Sequence, residues 1–186
     1  MPDSKETITI ENVVASTAIE QELDLETLET DLPGADYDPD RFPGLIYRSQ
    51  EPKATSLIFR SGKIVTTGGR NEDAVNTVLE NLFEDLAELG ISVPDEPAVT
   101  IQNIVSGADL GQPINLNAIA IGLGLETIEY EPEQFPGLVY RLDRPSVVVL
   151  LFGSGKLVIT GGKTTDDAAK ALDAVTARLT ELGLLE

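Results

Sequence analysis

The chain carries the same sequence pattern twice. Residues 42–90 align without a gap to residues 135–183, a shift of 93 positions, and 22 of the 49 aligned residues are identical. Further upstream, TITIENVVAS (from residue 7) aligns with AVTIQNIVSG (from residue 98) at a shift of 91. Two copies of one unit therefore fill nearly all of the 186 residues. Such a chain must fold into two related halves.

Each copy predicts the same order of elements, and we place the repeats at residues 1–95 and 96–186. A first strand, at about Thr7–Ser16 or Val99–Gly107, is followed by a short helical stretch, DLETLETDL or INLNAIAIGLG. Next come strands around Tyr37 and Tyr130, and at Leu45–Ser49 and Leu138–Leu142. Two further strands form a hairpin around Ser-Gly-Lys, and a long amphipathic helix closes the copy. Asn71 and Thr164 are predicted helix N-caps, and Gly90 and Gly183 predicted stops.

The hairpin LIFRSGKIVTTGG, from residue 57, is apolar on both faces. Alternation places Leu57, Phe59, Val65 and Thr67 on one face, while isoleucines occupy much of the other. One helix stripe covers only one face of a sheet. The second face is therefore predicted to be an interaction surface.

Composition excludes several kinds of chemistry. The chain has no cysteine, histidine or tryptophan, so disulfides, thiolate or imidazole metal sites and Ser–His catalysis are ruled out. No paired carboxylate motif supports an enzyme, and we predict neither a catalytic site, a metal nor a cofactor. No apolar run is long enough to span a membrane, and the N-terminus does not resemble a signal peptide. A cytoplasmic location is expected.

Charge is distributed unevenly along the chain. The net charge is −19, yet ten of the 13 basic residues lie in windows 41–70 and 141–163, beside only Glu51 and Asp143. These windows carry +8, and the remainder carries −27. The acidic remainder is typical of a halophilic surface, with an acidic partner-binding tail as the alternative. The basic windows keep nucleic acid open as a ligand.

Two glycine-rich segments have ordinary explanations. GSGK at 153–156 is not a phosphate loop, because Leu157 follows the lysine and a strand, not a helix, follows the turn. TGG at 67–69 and 160–162 is interpreted as the exit from a strand toward the next helix.

Asparagine and threonine occur at matched positions in both copies. Asn12 and Asn103 are each flanked by apolar residues, and Thr67 and Thr160 precede the paired glycines. Either the amides are hydrogen-bonded sheet residues, or they donate to acceptors in a DNA minor groove, such as adenine N3 and thymine O2. The residues alone leave both interpretations open.

Four of the five phenylalanines are also matched. Phe42 and Phe135 occupy equivalent positions after polar turns, and Phe59 and Phe152 occupy equivalent positions on the uncovered face. Most phenylalanines are core residues, but a polar turn is an unusual site for one. Paired apolar wedges suit the partial unstacking of bases in a widened minor groove.

The motifs QNIV, FPGL(I/V)YR and (L/I)(L/I)F-x-SGK-x-V-x-TGG, the last two present twice at this spacing, resemble the TATA-box-binding protein family. The resemblance runs from about residue 7 to the C-terminus and is closest to the archaeal, halophilic form. It implies an α+β fold: an internally duplicated saddle, with a continuous curved antiparallel ten-stranded sheet and four helices on the convex side. It also implies a general transcription initiation factor, associated with the nucleoid, that binds and kinks A/T-rich promoter DNA.

The resemblance assigns roles by position. Two pairs of phenylalanines would kink the DNA: Phe42 with Phe59, and Phe135 with Phe152. Base edges would be contacted by Asn12, Asn103, Thr67, Thr160, Val14, Val105, Val65, Val158, Leu57 and Leu150. Phosphates would be contacted by Arg48, Lys63, Arg141 and Lys156, and the partner factor by Glu131, Glu133 and Gln134.

The implied partners are double-stranded promoter DNA, transcription factor B and, indirectly, RNA polymerase, with self-association possible off DNA. Arg60 departs from the family pattern, since Gly153 is its counterpart. The alternative function is a pseudo-dimeric protein-interaction module that uses the bare sheet face, and an enzyme using carboxylates ranks well behind. The acidic remainder also predicts that bound cations blunt or reverse the usual loss of DNA affinity with salt.

Overall fold

The computed structural model describes residues 7–186 and contains ten strands and four helices over that range. In chain order the elements are β1 (Thr9–Ala18), α1 (Leu25–Asp31), β2 (Ala35–Asp36), β3 (Leu45–Gln50), β4 (Lys53–Ile58), β5 (Lys63–Gly69), α2 (Glu72–Glu88), β6 (Thr100–Asp109), α3 (Leu116–Leu123), β7 (Ile128–Glu129), β8 (Leu138–Asp143), β9 (Ser146–Leu151), β10 (Lys156–Gly162) and α4 (Thr165–Glu181).

The chain divides into two compact units. Residues 12–102 form the first unit, and residues 103–186 together with residues 7–11 form the second. In the first unit the strands lie in the order β2-β3-β4-β5-β1, and in the second in the order β7-β8-β9-β10-β6. Neighbouring strands in each unit pair antiparallel. The predicted α+β class, with a duplicated set of antiparallel strands and helices, is confirmed.

The predicted element types are right, and the bounds shift by a few residues. β1 begins and ends two residues later than predicted, whereas β6 begins one residue later and ends two residues later. β2 and β7 end just before Tyr37 and Tyr130, around which strands were predicted. Asn71 and Thr164 are the N-caps of α2 and α4, as predicted, and their side chains accept from Ala74 N and Asp167 N. Such capping satisfies backbone donors that have no partner within the helix. The hydrogen bond from the Lys163 N–H lowers the pKa of the Asp167 carboxyl.

Two glycines end the long helices, as predicted. Gly90 and Gly183 follow α2 and α4 with φ of 87° and 72°, a conformation that favours glycine. No helix in residues 7–186 is long and apolar enough to cross a membrane.

Helices cover one face of the strands in each unit. In β5 the side chains of Ile64 and Thr66 are buried, whereas those of Val65 and Thr67 are partly exposed. The long helices α2 and α4 contact the middle strands of their own units and bury their apolar stripes there. The opposite face of each unit, here called the open face, keeps partly exposed apolar side chains. This arrangement agrees with the predicted uncovered face.

The two cores differ at one buried position pair. In the first unit, Ser56 pairs across the strands with Thr66, and their fully buried hydroxyls lie 2.8 Å apart. The second unit has Val149 opposite Ile159 at the same place. On the helical side of the first unit, α2 buries Val75 and Val78. At the corresponding positions of the second unit, α4 buries Ala168 and Ala171. Larger helix residues thus accompany smaller strand residues, which conserves core volume.

We expect Ser56→Ala combined with Thr66→Val to leave stability unchanged or raise it by up to about 1 kcal/mol, because both hydroxyls vanish together. Ser56→Ala alone should cost about 1–3 kcal/mol, because the fully buried Thr66 hydroxyl then loses its hydrogen bond to Ser56. Urea unfolding of the wild type, both single variants and the double variant measures this coupling. Additive losses would show that the hydrogen bond contributes nothing.

Candidate nucleic-acid interface

A bulge in β5 organises the open face of the first unit. Val13 pairs with Gly69 and Ala15 with Thr66, so two residues of β5 oppose one residue of β1. One of the two is Gly68, whose φ of 95° is in the region that favours glycine. The interpretation of TGG as a strand exit was therefore incomplete, because this glycine is part of the paired strand.

The bulge holds the amide of Asn12 in one orientation. The Gly68 N–H donates to Asn12 Oδ1 at 2.6 Å, and Asn12 Nδ2 donates to Thr67 Oγ1 at 3.0 Å. Since a backbone N–H can only donate, the oxygen of the amide must face Gly68. One hydrogen of Nδ2 then remains for a further acceptor on the open face.

The second unit repeats this geometry. Gly161 N–H donates to Asn103 Oδ1 at 2.6 Å, and Asn103 Nδ2 donates to Thr160 Oγ1 at 3.0 Å. The φ of Gly161 is 97°. The asparagine amides are thus hydrogen-bonded within the sheet, as the first interpretation predicted. Donation to DNA bases, the second interpretation, stays a prediction, for which each amide retains one N–H. The two bulge glycines were not predicted as site residues from the sequence, although TGG recurs at matched positions in both repeats.

The matched phenylalanines form two pairs. The ring centroids of Phe42 and Phe59 are 5.9 Å apart at 64°, and those of Phe135 and Phe152 are 5.9 Å apart at 73°, both edge-to-face. Phe135 is 40% exposed, and the other three are partly exposed. Backbone hydrogen bonds from Phe42 to Asp38 O and from Phe135 to Glu131 O close the preceding turns. Each pair is therefore held in a defined ring–ring arrangement and is partly exposed to solvent.

A glycine makes room for each pair. A Cβ on Gly44 would lie 2.8 Å from Phe42 Cε1 and 3.1 Å from Phe59 Cε1. A Cβ on Gly137 would lie 2.8 Å and 2.9 Å from the corresponding atoms of its pair. The glycine of FPGL is thus a positioning residue that the sequence reasoning quoted without a role.

Aliphatic side chains form one row in each unit. Val65 pairs with Leu57, and Leu57 pairs with Ile46, all on the open face and all partly exposed. The second unit has the corresponding row Val158, Leu150 and Val139. Ile46 and Val139 extend the rows beyond the predicted residues, and only the strand register reveals this. Val14 and Val105 lie opposite the bulges and are also partly exposed.

The predicted phosphate-contacting residues are exposed. Lys63 and Lys156 lie on the same strand faces as Val65 and Val158, next to the aliphatic rows. Arg48 and Arg141 lie two residues after Ile46 and Val139 on β3 and β8, and so on the same face as the aliphatic rows. Arg141 also forms an exposed ion pair with Glu129, at 3.6 Å. An exposed pair of this kind stabilises little, so the guanidinium can exchange its partner.

Two of the three predicted partner-contacting residues line a hollow of about 420 Å³ in the second unit. Glu131 and Gln134 line it together with Glu129 and Phe135, whereas Glu133 is exposed but does not line it. A larger groove of about 570 Å³ brings Phe152, Lys156 and Val158 together with Glu11. Glu11 was not among the predicted residues, and it places a carboxylate beside the open face.

A protein-family model described as transcription factor TFIID, or TATA-binding protein, matches residues 7–89 and again 98–182. The chain belongs to the TATA-box-binding protein family. Haloferax volcanii TATA-box-binding protein 1 is 68% identical over 100% of this chain and 98% of its own length. Halobacterium salinarum TATA-box-binding protein E is 67% identical over the full length of both. The solved structure of Methanococcus jannaschii TBP is 49% identical and matches 94% of this chain and 98% of its own with a TM-score of 0.85.

These similarities confirm the resemblance to the archaeal, halophilic members of the family. Both halophile relatives align over the whole chain, so both repeats belong to the same family domain. The duplicated family match also agrees with the repeat structure that the sequence shows.

Proposed function

We propose that this chain is a general transcription initiation factor that binds and kinks A/T-rich promoter DNA, the TATA box, through the minor groove. The family membership supports this function, and the open face carries it chemically. Each unit offers an aliphatic row, one oriented asparagine amide, one threonine hydroxyl and one aromatic pair. The role is one of binding and requires no catalysis.

Minor-groove DNA fits this face because the groove floor carries few polar atoms. A·T and T·A pairs present only adenine N3 and thymine O2 as acceptors, and a G·C pair adds the guanine amino group. The amide donors of Asn12 and Asn103 match those acceptors, whereas the aliphatic rows offer no hydrogen-bond acceptor to the guanine amino group. A/T-rich sites are therefore favoured.

The DNA must kink because its minor groove is narrower than the sheet face that binds it. B-DNA's minor groove is about 6 Å wide, too narrow for a sheet face, so the groove must open. Partial unstacking costs a few kcal/mol per base step, offset by apolar burial and by phosphate contacts. Flexible TA steps unstack at the lowest cost, which adds to the A/T preference. Phe42 with Phe59, and Phe135 with Phe152, act as the wedges.

The same proposal includes partner proteins. Glu131, Glu133 and Gln134 give the second repeat an exposed acidic and polar surface, and Glu129 borders the same hollow. Transcription factor B binds there and in turn recruits RNA polymerase. Because the minor groove barely separates A·T from T·A, two similar repeats choose their orientation poorly, and the partner sets the direction. The chain itself is located on promoter DNA, associated with the nucleoid in the cytoplasm.

Binding-site selection tests the function directly. The chain is incubated at molar KCl with a pool of random duplexes, with and without transcription factor B, and the bound duplexes are sequenced. We expect A/T-rich sites with TA steps from the chain alone, and a fixed orientation with flanking sequence when the factor is added. Recovery of random duplexes, or of none, would favour the protein-interaction module instead.

Salt dependence gives a second test. A basic binder loses affinity steadily as salt rises, because cations must be released from the phosphates. Here Glu11 and Lys156 both line the groove on the open face, where a bound cation can bridge the Glu11 carboxylate to a phosphate. We expect affinity for a TATA duplex to hold or rise from low to molar KCl.

The variant Glu11→Gln should lose this behaviour and show a negative slope. Glu20→Gln, at an exposed position outside that groove, serves as the control and should behave as the wild type. A steep monotonic loss in the wild-type protein would contradict the cation hypothesis without touching the DNA-binding proposal. Fluorescence anisotropy of a labelled duplex supplies the measurement.

A further inference from the structure

The helix α3 and its flanks carry no charge, in a chain of net charge −19. Residues 111–125 read GQPINLNAIAIGLGL, without a single acidic or basic side chain. The corresponding residues 20–34 of the first repeat contain six acidic residues. The two stretches align at their helix N-caps, Asp24 and Asn115. One repeat thus lacks the acidic surface that the other has at the same place.

Two aliphatic side chains project from the end of this uncharged stretch. Ile121 is 84% exposed and Leu125 is 85% exposed, the highest values among the exposed large hydrophobic residues of the described chain. Packing does not require them, because Leu116 and Ile119 already bury the inner face of α3. The position corresponding to Ile121 in the first repeat is Thr30. A polar residue therefore serves the fold equally well there.

The end of α4 completes the surface. The side chain of Leu182 approaches α3 so closely that a Cβ on Gly122 would lie 2.9 Å from Leu182 Cδ1. Leu182 itself is partly exposed. We call Ile121, Leu125 and Leu182 the α3 patch. The exposed carboxylates of Glu126, next to Leu125, and Glu181, next to Leu182, border the patch.

We propose that the α3 patch docks an amphipathic helix of a partner protein, with apolar residues on the contacting face and basic residues along its edges. Apolar anchors on one helix face are the usual means by which a helix binds a protein surface. The acidic border selects basic edges by charge complementarity. The surface belongs to the helical side of the second unit, so it is separate from the open face.

A second copy of the chain fits this patch poorly. Two copies would bring the acidic borders together, and each chain already carries −19. A stable protein–protein interface buries about 1,200 Å² or more in total, which so few exposed aliphatic side chains per copy do not approach. Apolar contact also suits molar salt, where the screening length falls to about 3 Å and charges alone attract weakly.

The test uses the full chain, labelled with ¹⁵N, in molar KCl. The probe is a synthetic helical peptide of about 18 residues, with leucine on one face and lysine on the other. We expect peptide binding to shift the backbone amide resonances of residues 119–126 and of Leu182. Predominant shifts in the acidic α1 would show that only charge attracts the peptide, and would overturn the proposal.

Matched variants locate the contact. Ile121→Asp combined with Leu125→Asp should weaken peptide binding by roughly tenfold or more, since both anchors are lost. Thr30→Asp adds a charge at the corresponding helix position of the other repeat and should leave the affinity unchanged. Equal affinity of these two variants would overturn the proposal.

Two further measurements make the result specific. Both substituted side chains are largely exposed, so thermal unfolding and TATA-duplex binding should match the wild type, which separates this inference from the DNA-binding function. A dilution series without peptide checks the other occupant. Concentration-dependent shifts confined to residues 119–126 would mean that a second copy, and not a partner helix, covers the patch.

Discussion

Replacing both Phe59 and Phe152 by alanine is expected to abolish the bending of a TATA duplex and to weaken binding roughly 30- to 700-fold. We take about 2–4 kcal/mol as the total loss for both truncations, because losses at interface hot spots are not additive, and about 1.4 kcal/mol corresponds to tenfold in affinity. The loss includes pre-organisation, because each ring packs edge-to-face on a second phenylalanine, 5.9 Å away. FRET between dyes at the two duplex ends, at molar KCl, reports the bend.

Phe83→Leu provides the control for this experiment. Phe83 is the fifth phenylalanine and is buried on α2, on the helical side of the first unit, so bending should survive its replacement. Each single variant, Phe59→Ala and Phe152→Ala, should retain part of the bend, because one aromatic pair stays intact. A double variant that bends the duplex like the wild type would rule out the aromatic pairs as wedges. A wild type that never bends it would favour the protein-interaction module.

Asn12→Asp combined with Asn103→Asp is expected to weaken TATA binding by about two to three orders of magnitude, or about 3–4 kcal/mol. The carboxylate still accepts from the Gly68 or Gly161 N–H, so the bulge is preserved. It cannot donate, however, and it places a negative charge against adenine N3 and thymine O2, which are both acceptors. Affinity for a labelled duplex is measured by anisotropy at molar KCl.

The same substitution elsewhere in the chain controls for added charge. Asn71 and Asn115 cap α2 and α3 by accepting from a backbone N–H, a role that aspartate fills equally well. Asn71→Asp combined with Asn115→Asp thus adds the same two charges away from the open face. Equal affinity of the two double variants would show that the asparagine amides do not donate to bases.

Local rules made much of the site readable. The duplication, the Ser-Gly-Lys hairpins and the caps at Asn71 and Thr164 follow from short-range patterns of turn residues and alternation. The matched phenylalanines and asparagines could be selected because a repeat displays each functional position twice. The family resemblance supplied their assigned roles, which neither spacing nor composition contains.

Other features depend on strand register, which sequence leaves open. The hydrogen bond from Gly68 to Asn12 joins residues 56 positions apart and exists only because the bulge shifts the pairing of β5 against β1. The contribution of Ile46 likewise follows from its pairing with Leu57. Because the register was unknown, TGG was interpreted as a strand exit, although the N–H of its middle glycine, Gly68, donates a hydrogen bond to Asn12.

The sequence by itself determined the two-repeat architecture, the alternation that leaves one face of the strands apolar, and the acidic surface, because these depend on residue order and composition alone. Tertiary structure decided which atoms of that face are oriented and which apolar residues stay uncovered. The Asn12 amide is oriented by the backbone N–H of Gly68, which is distant in sequence, and Gly44 leaves room for the rings of Phe42 and Phe59. Ile121 stays exposed because Leu116 and Ile119 already fill the inner face of α3. Contacts between distant segments set each of these, and local patterns do not encode such contacts.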